Sequence, residues 1–316
     1  MITGTKPGIL KEFRKSQRLM GNAFEITVVA TDESWASGQI SKAVGVIQRI
    51  ERLLTTFADN SQTNHINQFA GIKPVVVDRE VFDLIKRSLR ISALTGGAFD
   101  LSYGSVDKSL WNFDKTMSSL PDPGVARSMV RLINYRNILL NDADCSVMLK
   151  EKGMRIGFGG IGKGYAAEMA KLLLQKEGVR SGIVNASGDL TTWGRQANGK
   201  PWTIGIAHPD QAALPFSYLD ITDMAIATSG NYEKFVIIDG KKYSHTINPK
   251  TGLPVTGIKS VTIISPNAEI ADAMATPVTI MGIRAGLNLV NQVHHLECII
   301  IDDHNKIYSS KNIHLI

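Results

Sequence analysis

The sequence predicts an α+β fold in which mixed or antiparallel sheets carry packed helices. Segments of period two and of period 3.6 alternate irregularly along the chain, and hairpin-like pairs interrupt them. No internal repeat and no low-complexity linker is visible. A chain of 316 residues can bury a sizeable core as one large domain or two smaller ones, and no firm boundary shows.

The elements follow in order. "NAFEITVVAT" (22–31) alternates and is rich in β-branched residues, so it predicts a strand. Ile40, Val44, Ile47, Ile50 and Leu53-Leu54 recur at helical spacing and predict one long helix from Ser37 to Phe57. "KPVVVD" is a short strand, and Arg79 to Leu94 a helix closed by Gly96-Gly97. A looser middle holds "GAFDLSYG", "SLWNFD" and "LPDPG". Strands near Asn137–Leu140 and Ser146–Lys150 lead to a glycine stretch, then a helix from Gly164 to Gln175. "SGIVNASGDLTTWG" reads as a strand with a glycine bend, and "WTIGIAHP" as another strand. "KFVIIDGKKYSHTI" predicts a hairpin turning at Asp239-Gly240. "KSVTIIS" is a strand, Ala268 to Met281 a helix, and "LECIIID" and "KIYSS" a last strand pair.

Composition excludes several classes. Hydrophobic content of 43% and charged content of 20% are those of an ordinary globular protein. The net charge of +6 is scattered, which is a solvated surface rather than a nucleic-acid footprint, though it favours an anionic small molecule. Cys145 and Cys298 lie far apart in apolar runs and read as buried thiols, neither a disulfide nor a metal site. No stretch approaches the roughly 20 apolar residues of a membrane span. "MITGTKPGILKEFRKSQRLMG" lacks the apolar core of a signal peptide. The sequence as written is therefore expected to be cytoplasmic; the alternative is an extracytoplasmic, membrane-anchored protein whose leader was removed.

The glycine stretch imitates two phosphate motifs. Gly157 to Gly162 matches G-x-G-x-x-G, and Gly157 to Lys163 matches G-x-x-x-x-G-K. A dinucleotide turn needs an acidic residue about 20 positions on; that region is "GIVNAS", with Asn185 and no carboxylate. A P-loop needs Ser or Thr after the Lys, and residue 164 is Gly. "CIIID" (298–302) resembles a Walker B strand, but apolar strands ending in Asp are common. The glycines also fit plain close packing. What remains is a pliable backbone, a helix N-terminus and one Lys, a set that suits a phosphate.

Asp272 and Thr276 are four apart and share one helix face among Ala271, Ala273 and Ala275. A carboxylate, a hydroxyl and small neighbours suit Mg²⁺, although such a pair is also what an exposed helix presents. Pro277 removes the N–H partner of the Ala273 carbonyl. His245 follows a strand and precedes the turn "NPKTG"; a histidine there can be structural or catalytic. Thr228-Ser229-Gly230 reads as a loop without the G-x-S-x-G elbow of a hydrolase nucleophile.

Taken together, "LMGNAFEITV", "LLTTFADNSQTNHINQ", "TGGAFDLSYG", "GFGGIGKGYAAE", "NASGDLTTWG", "IATSGNY", "YSHTINPKTGLPV" and "SVTIISPNAEIADAMATPVTIMG" resemble, in order, the ApbE-type FAD:protein FMN transferases. They run from about residue 19 to 282. The resemblance implies the ApbE-like flavin transferase fold over 1–316, as one domain or as two subdomains with the FAD site between them. It implies Mg²⁺ as cofactor and FAD as substrate, with FMN moved onto a Ser or Thr hydroxyl of an acceptor protein and AMP released. Carried over by position, Asp272, Thr276 and the carbonyl of Gly162 would hold the metal. Lys163, Met20, Phe57, Ala98, Phe99, Asp100, Thr246 and Ile247 would contact FAD, and His245 would be the base. An FAD pyrophosphatase and a non-catalytic FAD-binding protein would need the same pocket. The chain departs from the family at Gly157, Glu168 and Asn248, where relatives often carry Asp, and at Ser187, where Gly is usual. The carboxylates missing from these positions fall near the metal and FAD in that reading.

Overall fold

The computed structural model describes residues 8–106, 119–208, 211–230, 235–238 and 240–313. The chain opens with strands β1 (Lys11–Leu19) and β2 (Asn22–Ala30), helices α1 (Glu33–Leu54) and α2 (Gln62–Gln68), strand β3 (Val75–Val76) and helix α3 (Arg79–Leu94). Helix α4 (Pro123–Met129), strands β4 (Ile138–Asn141) and β5 (Ser146–Leu149), and helix α5 (Gly162–Lys176) follow. Next come β6 (Gly182–Ala186), β7 (Asp189–Trp193), β8 (Trp202–His208), β9 (Gln211–Ile221), β10 (Ala225–Gly230), β11 (Phe235–Ile238) and β12 (Lys241–Ser244). The chain ends with β13 (Ile258–Ser265), α6 (Ala268–Met281), α7 (Ile283–Val290), β14 (Glu297–Asp302) and β15 (Ile307–Ser309).

Eight strands form one sheet in the order β1-β2-β6-β7-β10-β13-β14-β15. Every pairing in it is antiparallel. The period-two alternation of the sequence builds a different layer on each face. Phe24, Ile26 and Val28 of β2, with Val261 and Ile263 of β13, point into the main core shared with α1, α5 and α6. Val29, Ile264 and Ile299 point the other way, onto Trp202, Ile206 and Ile221 of the β8–β9 hairpin. All eight residues of β13 are buried because both faces of that strand are covered. Its apolar members Ile258, Val261, Ile263 and Ile264 each contribute about 1.5–3 kcal/mol, so this strand resists local opening and holds α6 from beneath.

Helix α1 starts four residues earlier than its apolar periodicity predicts, because Asp32 caps it by accepting from the Trp35 N–H at 2.6 Å. It ends at Leu54, three residues early. Thr55 turns extended and its hydroxyl accepts from Phe57 N–H at 3.1 Å, which leaves the Phe57 ring 98% exposed. Helices α3 and α6 match their predicted spans. Strand β1 was not foreseen: its charged face pairs with β2 along nine residues and forms the sheet edge. Thr228, Ser229 and Gly230, read as a loop, lie on β10 and pair with β13. Cys298 is buried, and burial pushes its thiol up to about 12. Cys145 is only half-buried, at a left-handed turn position before β5 (φ 55°). The segment "SLWNFD" and the turn residue Asp239 lie outside the described residues. No helix among the described residues is long and apolar enough to cross a membrane.

Charged side chains tie the helices that carry the site. Glu80 of α3 is ion-paired with Arg49 of α1 and accepts from the Tyr165 hydroxyl of α5 at 2.6 Å. Arg87 of α3 grips Glu269 of α6 with two hydrogen bonds of 2.7 and 2.9 Å. Glu168 of α5 accepts from the Ala268 N–H at 2.9 Å and so caps the start of α6.

Candidate active site

The glycine stretch ends in a helix N-terminus, as predicted, but no strand feeds it. Residues 151–161 are irregular, and the preceding β5 belongs to a small antiparallel sheet with β3 and β4. That context excludes the βαβ turn of a dinucleotide fold and the strand–loop–helix of a P-loop. The Walker-like Asp302 spends its carboxylate on its own turn, accepting from His304 N–H, Lys306 N–H and the Tyr308 hydroxyl.

Gly164 shows what the glycines are for. A Cβ there would sit 2.2 Å from the Ala268 carbonyl oxygen and 2.6 Å from Asp272 Cβ. Only glycine lets α5 and α6 approach this closely. The bare N–H of Gly164 then donates to Asp272 Oδ2 at 2.8 Å, so a carboxylate of α6 satisfies the first turn of α5.

Lys163 sits between two carboxylates. Its ammonium is ion-paired with Asp189 of β7 and lies 3.9 Å from Asp272 Oδ1. Burial alone would lower the Lys163 ammonium, but Asp272 and Asp189 outweigh it and hold it above its usual value. Burial pushes the Asp272 carboxyl the other way, up to about 6, with Lys163 opposing the shift. Asp189 is fixed in turn by Thr228 N–H, which donates to its Oδ1 at 3.2 Å.

Two buried carboxylates share one ammonium, which leaves a deficit of one positive charge. Thr276, one turn beyond Asp272, is half-buried and lines a cavity. Hard oxygen donors with unbalanced negative charge fit a small divalent cation such as Mg²⁺, which takes few protein ligands. Among the described residues no group of three or more His, Cys, Asp or Glu forms a closed metal cage. Any cation here would therefore keep positions open for water or phosphate oxygens.

Two cavities meet at the glycine stretch. One, of about 520 Å³, is lined by Ala98, Phe99, Asp100, His245, Thr246 and Thr276, among others. The second, of about 440 Å³, is lined by Met20, Phe57 and Lys163. Thr56, Gly157 and Gly159 border both. Nine of the twelve residues singled out in the sequence thus line this pair of adjoining cavities. The other three stand behind it: Gly162 begins α5, Asp272 is 6% exposed, and Ile247 packs beneath with Met129 and Val130.

His245 is carried by a braced hairpin. Ser244 N–H donates to Val255 O, Val255 N–H to Thr246 O, and Asn248 N–H to Leu253 O, at 2.8–3.1 Å. Asn248 Oδ1 accepts from Lys250 N–H at 2.9 Å; an amide oxygen fills that role as a carboxylate would. Gly252 is left-handed (φ 72°), and a Cβ there would fall 1.9 Å from the Ala126 carbonyl oxygen, so the turn is seated on α4. His245 itself is exposed at the cavity wall.

Two residues with positions in this site were given no role in the sequence. Asp189 belongs to the quoted "NASGD" segment, but its pairing with Lys163, 26 residues away, depends on the β6–β7 hairpin turning at Ser187-Gly188. Tyr103 accepts from Ile247 N–H at 3.1 Å and anchors the His245 hairpin. Asp100 lies on the cavity wall with its oxygens turned to Ser102 and the Tyr135 N–H. Glu168 serves the α6 cap and lines neither cavity.

Similar proteins share this arrangement of chain. A protein of Klebsiella pneumoniae (strain 342) named FAD:protein FMN transferase is 32% identical over 295 residues, which are 92% of this chain and 90% of that one. A Treponema pallidum (strain Nichols) protein of the same name is 27% identical over 320 residues, with 96% and 88% covered. The crystal structure of the ApbE protein of Thermotoga maritima superposes with a TM-score of 0.84 at 28% identity, covering 95% of this chain and 97% of that one. The flavin transferase ApbE of Vibrio cholerae shares the fold, with a TM-score of 0.83 at 23% identity, covering 96% and 98%. The sequence pattern of the ApbE family spans residues 20–300, and the chain belongs to that family.

Proposed function

We propose that the protein is a Mg²⁺-dependent FAD:protein FMN transferase that moves FMN onto a Ser or Thr hydroxyl of an acceptor protein and releases AMP. One observation carries the reading. The cavity bearing His245 also bears Thr276 of the Asp272 helix, and it adjoins the cavity bearing Lys163, with Thr56, Gly157 and Gly159 bordering both. A hydroxyl, a pyrophosphate and a proton acceptor can therefore meet in one place.

Mg²⁺ held by Asp272, Thr276 and the Gly162 carbonyl would supply charge neutralisation at the pyrophosphate. Lys163, kept protonated by Asp189 and Asp272, contributes a second positive charge on the same side. Met20 and the exposed ring of Phe57 offer apolar surface at the mouth for an aromatic ring of FAD. His245 takes the proton of the acceptor hydroxyl as its oxygen bonds to the FMN-side phosphorus. The bridging P–O bond breaks, and AMP leaves with the electron pair. A histidine suits this role because its ring titrates near neutral pH.

The test is incubation with FAD, Mg²⁺ and a Thr-containing acceptor domain. AMP together with a covalently fluorescent acceptor supports transfer. AMP with free FMN would mean that water is the acceptor, and absence of both products would leave a flavin-binding protein.

A further inference from the structure

Beside the His245 cavity lies a third concavity of about 380 Å³, which shares Asp100 with it. Arg127 of α4, Arg131 just beyond it, Arg136 on the turn before β4, and Lys250 line this concavity. All four are exposed, and none forms an ion pair with a described residue. The one carboxylate among the described lining residues, Asp100, has both oxygens engaged by Ser102 and the Tyr135 N–H. Among the described residues the pocket is therefore a local excess of positive charge on a chain whose cations are otherwise scattered.

Its construction favours an extended acidic chain over a single phosphate. The cations come from separate segments and stand around a floor that includes Val130, Ile133 and Pro249. The pocket is also tied to the reaction centre. Lys250 lies on the same braced hairpin as His245, and Gly252 seats that hairpin on α4, the helix that carries Arg127. Whatever fills the pocket is held in register with His245.

We propose that this pocket docks an acidic segment of the acceptor protein, close in sequence to the hydroxyl that receives FMN. The proposal rests on the transferase reading. It gives the site a means of choosing one hydroxyl among the many on a protein surface, since complementary charge fixes register and speeds encounter.

The experiment uses the full chain with FAD and Mg²⁺ and two fluorescein-labelled peptides. One carries a single Thr and four Asp, and the other has Asn at each Asp. The Asp peptide should bind roughly tenfold more tightly, and raising salt from about 50 to about 200 mM should weaken it alone. Arg127→Glu with Arg131→Glu should remove the difference while flavin fluorescence shows FAD binding unchanged. Lys250→Gln, on the His245 hairpin rather than near α4 in sequence, should weaken the Asp peptide independently. Equal binding of the two peptides, or full binding of the Asp peptide to the double variant, would overturn the proposal. So would displacement of the Asp peptide by inorganic phosphate at constant ionic strength, because the pocket would then be a small-anion site. Flavin attached to the Thr, read by mass, reports separately on the transferase reading. If it is absent in every variant while charge-dependent binding persists, the reaction is wrong and the acidic partner stands.

Discussion

The N–H of Gly164 donates to the Asp272 carboxylate at 2.8 Å, across 108 residues of sequence, and that contact requires the absence of a side chain at 164. The residue that spoils the P-loop pattern is thus the one that lets α6 cross the start of α5. Gly164→Ser, which would complete the P-loop pattern, should destabilise the fold by about 1–3 kcal/mol through overpacking. It should also blunt the response of activity to Mg²⁺, because Asp272 is displaced. Thermal unfolding and a Mg²⁺ titration check both effects; an unchanged melting temperature would mean the helices can part without cost.

Asp272 and Asp189 share Lys163 but should differ in what they do. Asp272→Asn keeps the shape and removes the charge, so the Mg²⁺ response should vanish with a loss of activity above about 100-fold. Asp189→Asn removes the direct partner of Lys163 and should raise the KM for FAD while the Mg²⁺ response persists. If the two variants titrate alike with Mg²⁺, the metal is not centred on the α6 face.

The contrast between these residues shows how much the sequence carries. Asp272 and Thr276 are legible because helical spacing alone places them on one face, and α6 matches its predicted span. His245 and Lys163 stand out beside a turn and at a helix N-terminus, the family resemblance supplies their roles, and the structure places them on adjoining cavities. Asp189 and Tyr103 gained no role from local pattern, since each acts on a residue that only tertiary packing brings near. The missed strand β1 has a related cause. "KEFRKSQRL" is a charged edge whose pairing with β2 depends on the Met20-Gly21 turn, where both residues are left-handed, rather than on an apolar face. Phe57 was predicted on a helix because apolar spacing continues past Leu54, but Thr55 breaks the helix first.

His245→Ala should lower FMN transfer by roughly 10²–10⁴-fold and leave FAD binding largely intact, since the side chain is exposed at the wall and its hairpin is held by backbone bonds. Transfer to the acceptor and flavin fluorescence quenching, measured on the same preparation, separate the two effects. Substantial residual transfer would remove His245 from the proton step.

Glu80 makes the brace between α1, α3 and α5 sensitive to pH. Burial alone would raise its carboxyl, but the hydrogen bonds from Arg49 and Tyr165 outweigh burial and hold it below its usual 4.5. A depressed carboxylate stabilises the fold above its unfolded pKa, and that contribution is lost as the pH falls through the folded value. Glu80→Gln should therefore lower stability at neutral pH by about 1 kcal/mol, a modest figure because the Arg49 side chain is 43% exposed. Melting temperatures of the two proteins, compared stepwise from about pH 7 to about pH 3, should converge in acid. A gap that stays constant across that range would assign the effect to packing around Tyr165 instead of to charge.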